Sequence, residues 1–210
     1  MRRLKSIILG LSLFYLSLYV PVVLMTYFPQ WYIFNCKLHQ QCKYIGYTTA
    51  LKHIDELTDF FLHKKNLPVE WTVKEQLHLA EVRRILDVLA ITAVIGIILF
   101  IISFNRFKIA NFALINFLII LSMLLVVPFF RTFWIKIFHP LLFNNKRWWT
   151  NHLDRSFYIM PESFFKHSII FMIAFSFALN LLVWLYFKKY SKLDKKKMRL
   201  HNPGLSAHQY

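Results

Sequence analysis

The sequence specifies an all-α integral membrane protein, with four transmembrane helices and an extracytoplasmic cap formed by the two outer connections. Three observations lead there. Apolar runs occupy about 7–28, 86–104, 109–130 and 168–187. Each is close to the ~20 residues an α-helix needs to cross a bilayer. Hydrophobic residues make up 57% of the 210-residue chain, too many for a soluble domain of that length. The net charge is +16, and the basic residues stand beside the apolar runs. There they orient membrane helices and meet anionic lipid headgroups, so membrane lipids are the partner this charge implies and nucleic acid is not.

The chain opens on a basic stretch, Met1 to Ser6, and the first apolar run follows from Ile7 to about Phe28. The run is too long for the apolar part of a signal peptide and has no small-x-small site after it, so it reads as a retained helix. Pro21 should kink it, because proline lacks a backbone donor and clashes one turn back. Pro29 to Gly46 is aromatic and reads as irregular chain at the headgroup layer, with Trp31, Tyr32, Phe34 and Tyr44. Cys36 and Cys42 lie in it. A disulfide could join them if this side is extracytoplasmic, and two free thiols are the alternative. No Cys/His set has zinc-like spacing, so neither metal nor cofactor is expected.

Thr48 to His63 places Leu51, Ile54, Leu57, Phe61 and Leu62 at helical spacing, with Asp55, Glu56 and Asp59 between them. That helix is amphipathic and too polar to span, so it should lie over the membrane as part of the cap. Leu67-Pro68 ends it. Thr72 then fits an N-cap, and Glu75 three residues on completes a capping box. The new helix carries Glu75, His78, Glu81 and Arg84 along one face and runs into the second span. Asn105 to Lys108 is a short basic link to the third span, which Arg131 closes. The fourth span leads into a basic tail, 188–210, that includes Lys195-Lys196-Lys197. The tail should be solvated or lie on headgroups.

Four crossings put both termini on one side. The short basic flanks, Arg2-Arg3-Lys5, Arg106/Lys108 and Lys188–Arg199, mark that side as cytoplasmic. The long connections, 29–85 and 131–167, then form the outer cap of a single membrane domain. Asp194 apart, the acidic residues lie in these connections or at their edge. Asn111, Asn116 and Asn180 within the spans suit hydrogen bonds between helices. A coupled transporter would want a charge near the middle of a span, and there is none.

Chemistry concentrates in Trp134 to Phe165. His139 stands here among aromatic residues just after the third span, and His78 stands just before the second. Spans of similar length bring these ends to one depth, where two imidazoles could serve as general acid and base, with Glu75 and Glu81 fixing a tautomer. Trp134, Phe138, Phe143, Trp148, Trp149 and Tyr158 could wall the site. Ordinary interfacial anchoring also accounts for each ring. His39, His53, His63, His152, His167, His201 and His208 read as surface or interfacial residues. Arg131, Arg147 and Arg155 should pair with Asp154, Glu162 or lipid. Asn145 could donate to an oxyanion or satisfy loop backbone. A covalent lipase would want a G-x-S-x-G elbow, and the chain has none.

Two stretches resemble signatures of the lipoprotein intramolecular transacylase family of bacterial integral membrane proteins. The first is Glu75-Gln76-Leu77-His78-Leu79-Ala80-Glu81-Val82, where the family more often has Asp at the place of Glu81. The second is Phe138-His139, Phe143-x-Asn145-x-x-Trp148, Asp154 and Pro161-Glu162-x-Phe164-Phe165. The resemblance implies an acyltransferase in the cell membrane with its active site at the outer face. Its substrate would be a diacylglyceryl lipoprotein, and the sn-2 acyl chain would pass to the amine of that lipoprotein's own N-terminal cysteine. His78 and His139 would be catalytic. Glu75, Glu81, Phe138, Phe143, Asn145, Trp148, Asp154 and Glu162 would bind substrate or support the site. The competing reading is a non-catalytic membrane protein whose cap binds a lipoprotein or another partner.

Overall fold

The computed structural model describes residues 2–201, and its regular structure is all helical, with no strand among the described residues. Four helical stretches are long and apolar enough to cross a membrane: Arg3–Tyr27, Val73–Ser103, Ile109–Leu142 and Glu162–Tyr190. They correspond to α1 (Arg2–Tyr27), α4 (Val73–Ser103), a composite stretch that begins with α5 (Ile109–Ser122), and α9 (Glu162–His201). The end of the basic tail, 202–210 with His208, lies outside the described residues.

The four stretches pack as a bundle in which α1 touches α4, α5 and α9. Apolar burial drives little association inside lipid, so close approach and interhelical hydrogen bonds carry more of the packing. Gly10 lets α1 press against α5: a Cβ there would fall 2.6 Å from the Phe112 ring. Asn116 Nδ2 donates from α5 to the Gly10 carbonyl, and Ser176 Oγ donates from α9 to the Ser17 carbonyl. Asn180 instead donates to Ser176 within its own helix. Tyr15 OH closes α1 on α4 by donating to the Leu89 carbonyl.

Two elements differ from the sequence reading. The segment after the first span is ordered helix, not irregular chain: α2 runs Pro29–His39, and a 3-10 turn follows over Gln41–Ile45. Pro29 sits in the first turn, where its missing N–H loses nothing and its fixed φ suits a helix. The third span is also not a simple helix ending at Phe130. It passes into a 3-10 stretch, Met123–Phe129, where Pro128 cannot donate to the carbonyl four residues back. The first span continues through Pro21 without a break in the helix.

The cap has its own core. α3 (Tyr47–Phe61) buries Ala50, Ile54, Leu57 and Phe61 against Trp71, Leu79 and Leu86 of the following segment. Trp71 is 1% exposed, and its Nε1–H donates to Glu56 at 2.8 Å. Arg83 lies over the Phe60 ring and donates to the Phe60 carbonyl. The Thr72/Glu75 capping box read from the sequence opens α4.

A disulfide joins Cys36 to Cys42 and ties the end of α2 to the 3-10 turn. It encloses a short loop, so its contribution from loop closure is about 2 kcal/mol. Alkylation of the unreduced, denatured protein followed by mass measurement should label neither cysteine, and reduction should make both reactive.

Candidate active site

The site begins with a break in the helix. After α6 (Phe130–Phe133), Trp134–Phe138 forms one π-helical turn, and α7 (His139–Leu142) follows. Pro140 explains the change of pitch. It has no N–H for the carbonyl of Lys136, and its ring crowds that carbonyl, so the ladder slips by one residue. The slip aims two donors of His139 at one acceptor. Its backbone N–H and its Nδ1 both meet the Trp134 carbonyl, Nδ1 at 2.9 Å. A carbonyl only accepts, so Nδ1 carries the proton and Nε2 is left with a lone pair.

Rings enclose His139, which is 5% exposed. Trp148 lies tilted at 4.2 Å between centroids, Trp134 meets it edge-on at 4.5 Å, and Phe138 and Phe143 stand at 5.6 and 5.8 Å. His78 reaches the same place from α4: its ring stands edge-on to Phe143 at 4.7 Å. Phe143 is therefore the shared wall of the two imidazoles. Trp149 lies tilted against Trp148 and is exposed. Tyr158 does not reach the histidines; its OH donates to the His152 carbonyl.

Two buried carboxylates hold these elements together. Glu75 Oε1 accepts from the Ser156 N–H at 2.8 Å and from the Ser156 hydroxyl at 2.7 Å, and Oε2 accepts from the Thr72 N–H at 3.0 Å. Asp154, just before α8 (Arg155–Ile159), accepts from Lys74 Nζ, from the Asn151 N–H at 2.8 Å and from the Thr72 hydroxyl at 2.9 Å. Glu75 is thus spent on α8 and does not meet His78. Its partner Ser156, and Lys74 beside Asp154, were not singled out in the sequence. The capping box was the signal for Thr72 alone.

Glu81 comes closer, with Oε2 at 3.7 Å from His78 Nδ1. It is paired with Arg147 at 2.8 Å and with Asn145. Glu162 is exposed, faces Arg131 at 3.8 Å, and is not joined to the histidines. Three other histidines have separate partners: His53 meets Glu56, His63 meets Asp87, and His167 meets Asn35. The sulfurs of Cys36 and Cys42 and a ring nitrogen of His39 lie within 4.8 Å of one another. The sulfurs are bonded to each other, so they are not available as metal ligands. Elsewhere, an apolar groove of about 550 Å³ is lined by Leu24, Phe28, Trp31, Phe34 and Phe171, with Gln30 as its one polar side chain.

A sequence profile for the lipoprotein intramolecular transacylase Lit matches residues 6–165. The chain belongs to this family. It is therefore a membrane-integral acyltransferase, which decides against a purely binding role. The fold is similar to the membrane-integral lipoprotein intramolecular transacylase Lit from Bacillus cereus, solved in meso. The TM-score is 0.83 at 18% identity, with 94% of this chain and 98% of that one covered. Two variants of that protein, with a histidine replaced by alanine or by arginine, each match with a TM-score of 0.78 at 18% identity. They cover 94% of this chain and 96% and 94% of their own. No curated protein sequence matches.

Burial alone would push the Asp154 carboxyl up, but Lys74, the Asn151 N–H and Thr72 outweigh it and hold it below its ordinary value. A carboxyl lowered in the folded state stabilises the fold above its unfolded value, near about pH 4, and the contribution fades as pH falls through the folded value. The wild type should therefore have a higher Tm in detergent than Asp154→Asn at pH 6, and the gap should narrow below about pH 4. Glu75→Ala orphans the Ser156 and Thr72 donors and should cost about 3 kcal/mol, on the order of 10 °C in Tm.

Proposed function

We propose that this transacylase moves the sn-2 acyl chain of a diacylglyceryl lipoprotein to the amine of the lipoprotein's own N-terminal cysteine. The product is a lyso-form lipoprotein carrying an N-acyl group. The observation that carries this reading is the pair of imidazoles that share Phe143 as a ring neighbour, with His139 locked as an acceptor at Nε2. The chemistry needs that. An amine attacks an ester carbonyl only when it has a lone pair and can shed a proton, and Nε2 of His139 can take that proton. The carbonyl oxygen becomes an oxyanion, which an N–H on His78 can meet.

The bonds balance within one substrate. The cysteine nitrogen bonds to the acyl carbon, and the bond from that carbon to the glyceryl oxygen breaks. The proton taken from nitrogen by His139 is returned to the glyceryl oxygen. No acyl-enzyme is required, since donor and acceptor arrive on one molecule. The main barrier is bringing two ends of a flexible lipid together, and positioning of this kind can be worth effective molarities of roughly 10⁵ M. Trp134, Phe138, Phe143 and Trp148 are suited to that work, because they form a chamber that excludes water around His139.

The orientation follows from the basic flanks. The short Asn105–Lys108 connection and the basic end of α9 belong at the cytoplasmic face, and the cap at the outer face, where a lipoprotein amine would be presented. Membrane lipids are the solvent of the spans.

The test is mass spectrometry of a lipoprotein N-terminal peptide from cells with and without the protein. Expression should move one acyl mass from glycerol to nitrogen. His78→Ala and His139→Ala should each reduce the transfer by roughly 10²–10⁴-fold at normal protein level. Unchanged transfer in His139→Ala would overturn the assignment of the base.

A further inference from the structure

The two imidazoles are held differently. Nδ1 of His139 is tied to a carbonyl, but Nδ1 of His78 is buried and has no hydrogen-bond partner. A carboxylate stands next to it. Glu81 Oε2 is 3.7 Å away, beyond hydrogen-bond distance. Residues three apart on a helix ordinarily close such a gap. Here the carboxylate is already engaged by two other residues. Asn145 Nδ2 donates to both Glu81 oxygens, at 3.1 and 3.2 Å, and Arg147 Nη1 donates to Oε1 at 2.8 Å. Asn145 is itself fixed, because its Oδ1 accepts the Arg147 N–H at 2.9 Å. A cavity of about 300 Å³, lined by Glu81, Ile85, Phe143 and Asn145 among others, leaves the carboxylate room to move.

We propose that Asn145 and Arg147 are positioning residues that hold the Glu81 carboxylate off Nδ1 of His78, so that this imidazole can carry its proton on Nε2. The inference rests on the histidine-pair reading above and deepens it. A neutral imidazole has one N–H. A carboxylate bonded at Nδ1 would fix the proton there, and Nε2 would become an acceptor, as it is in His139. The site would then hold two bases and no donor for the oxyanion. With Glu81 held away, His78 is free to be the donor. The clamp thereby makes two identical side chains chemically unlike. The titratable and charged groups that face His78 are Glu81 on its own helix, His139 at the start of α7, and Arg147 in the loop after α7. His78 lies in the polar turns of α4 ahead of the apolar run from Leu86.

The experiment is nitrogen NMR of the full chain, labelled with ¹⁵N-histidine, in lipid micelles, reading the tautomer and titration of His78. Wild type should show His78 protonated at Nε2 at neutral pH. In Asn145→Ala/Arg147→Met, Glu81 should capture Nδ1–H, and the His78 titration should move up by about 1 unit or more. Acyl transfer should slow by roughly tenfold or more, because the oxyanion loses its donor. Adding Glu81→Leu to the double variant should return the Nε2–H tautomer and recover transfer. A purely structural role would show no such rescue. His53, paired with Glu56, reports in the same spectra that the cap is folded. Where the double variant does not fold, Arg147→Met alone is read in the same way. An unchanged His78 tautomer in the clamp variants, or a triple variant as slow as the double, would overturn the proposal. The tautomer is read without turnover, so a failure of the histidine-pair chemistry, full transfer by His78→Ala, is a separate result.

Discussion

A carboxylate taken out of water must find donors, and that requirement fastens the two long connections to each other. Glu75 is 3% exposed and Asp154 is 1% exposed. Neither can stay ionised there alone. Glu75 opens α4 and finds its donors on Ser156, while Asp154 precedes α8 and finds one on Lys74 and another on Thr72. Each connection thus supplies what the other lacks. The consequence reaches the histidines. His78 is one turn beyond Glu75 on the same rigid helix, so fixing Glu75 fixes the depth and direction at which its imidazole meets Phe143.

His139 is placed by a different device. A regular helix would send its backbone N–H to the carbonyl four residues back. Pro140 breaks the ladder, the turn widens, and the Trp134 carbonyl becomes the partner of both the backbone and the ring. Local backbone geometry therefore settles which nitrogen of His139 is protonated. Aromatic rings do the rest. Trp134 is stacked between Phe138 and Phe130 and touches Phe165, so the chamber wall is continuous with α9. Packing of this kind limits water around the ring, which is 5% exposed.

Much of this was legible in the chain. The four apolar runs gave the architecture, because a bilayer demands long uninterrupted helices and sequence periodicity cannot hide them. The Thr72/Glu75 box marked the start of α4, since a capping motif is local chemistry. The aromatic crowd read around His139 is present as rings packed on that imidazole. What escaped depends on partners distant in sequence. The spacing of Glu75, His78 and Glu81 suggested one polar face, yet Glu75 turns to Ser156, 81 positions away, and only Glu81 stays near the imidazole. Lys74 took the place of an arginine beside Asp154 because it sits one residue before Glu75 at the same junction. The helix after Pro29 was masked by its aromatic composition, which describes where a segment lies and not its backbone.

The account stands on two imidazoles converging on one reacting centre. The most direct measurement is an experimental structure in lipid with a diacylglyceryl peptide bearing a free N-terminal cysteine and a non-cleavable linkage at the sn-2 position. The cysteine nitrogen should lie within hydrogen-bond reach of His139 Nε2, and the oxygen that stands for the ester carbonyl should face His78. A peptide headgroup seated instead in the apolar groove beside Trp31 and Phe171, with neither imidazole near its polar atoms, would contradict it.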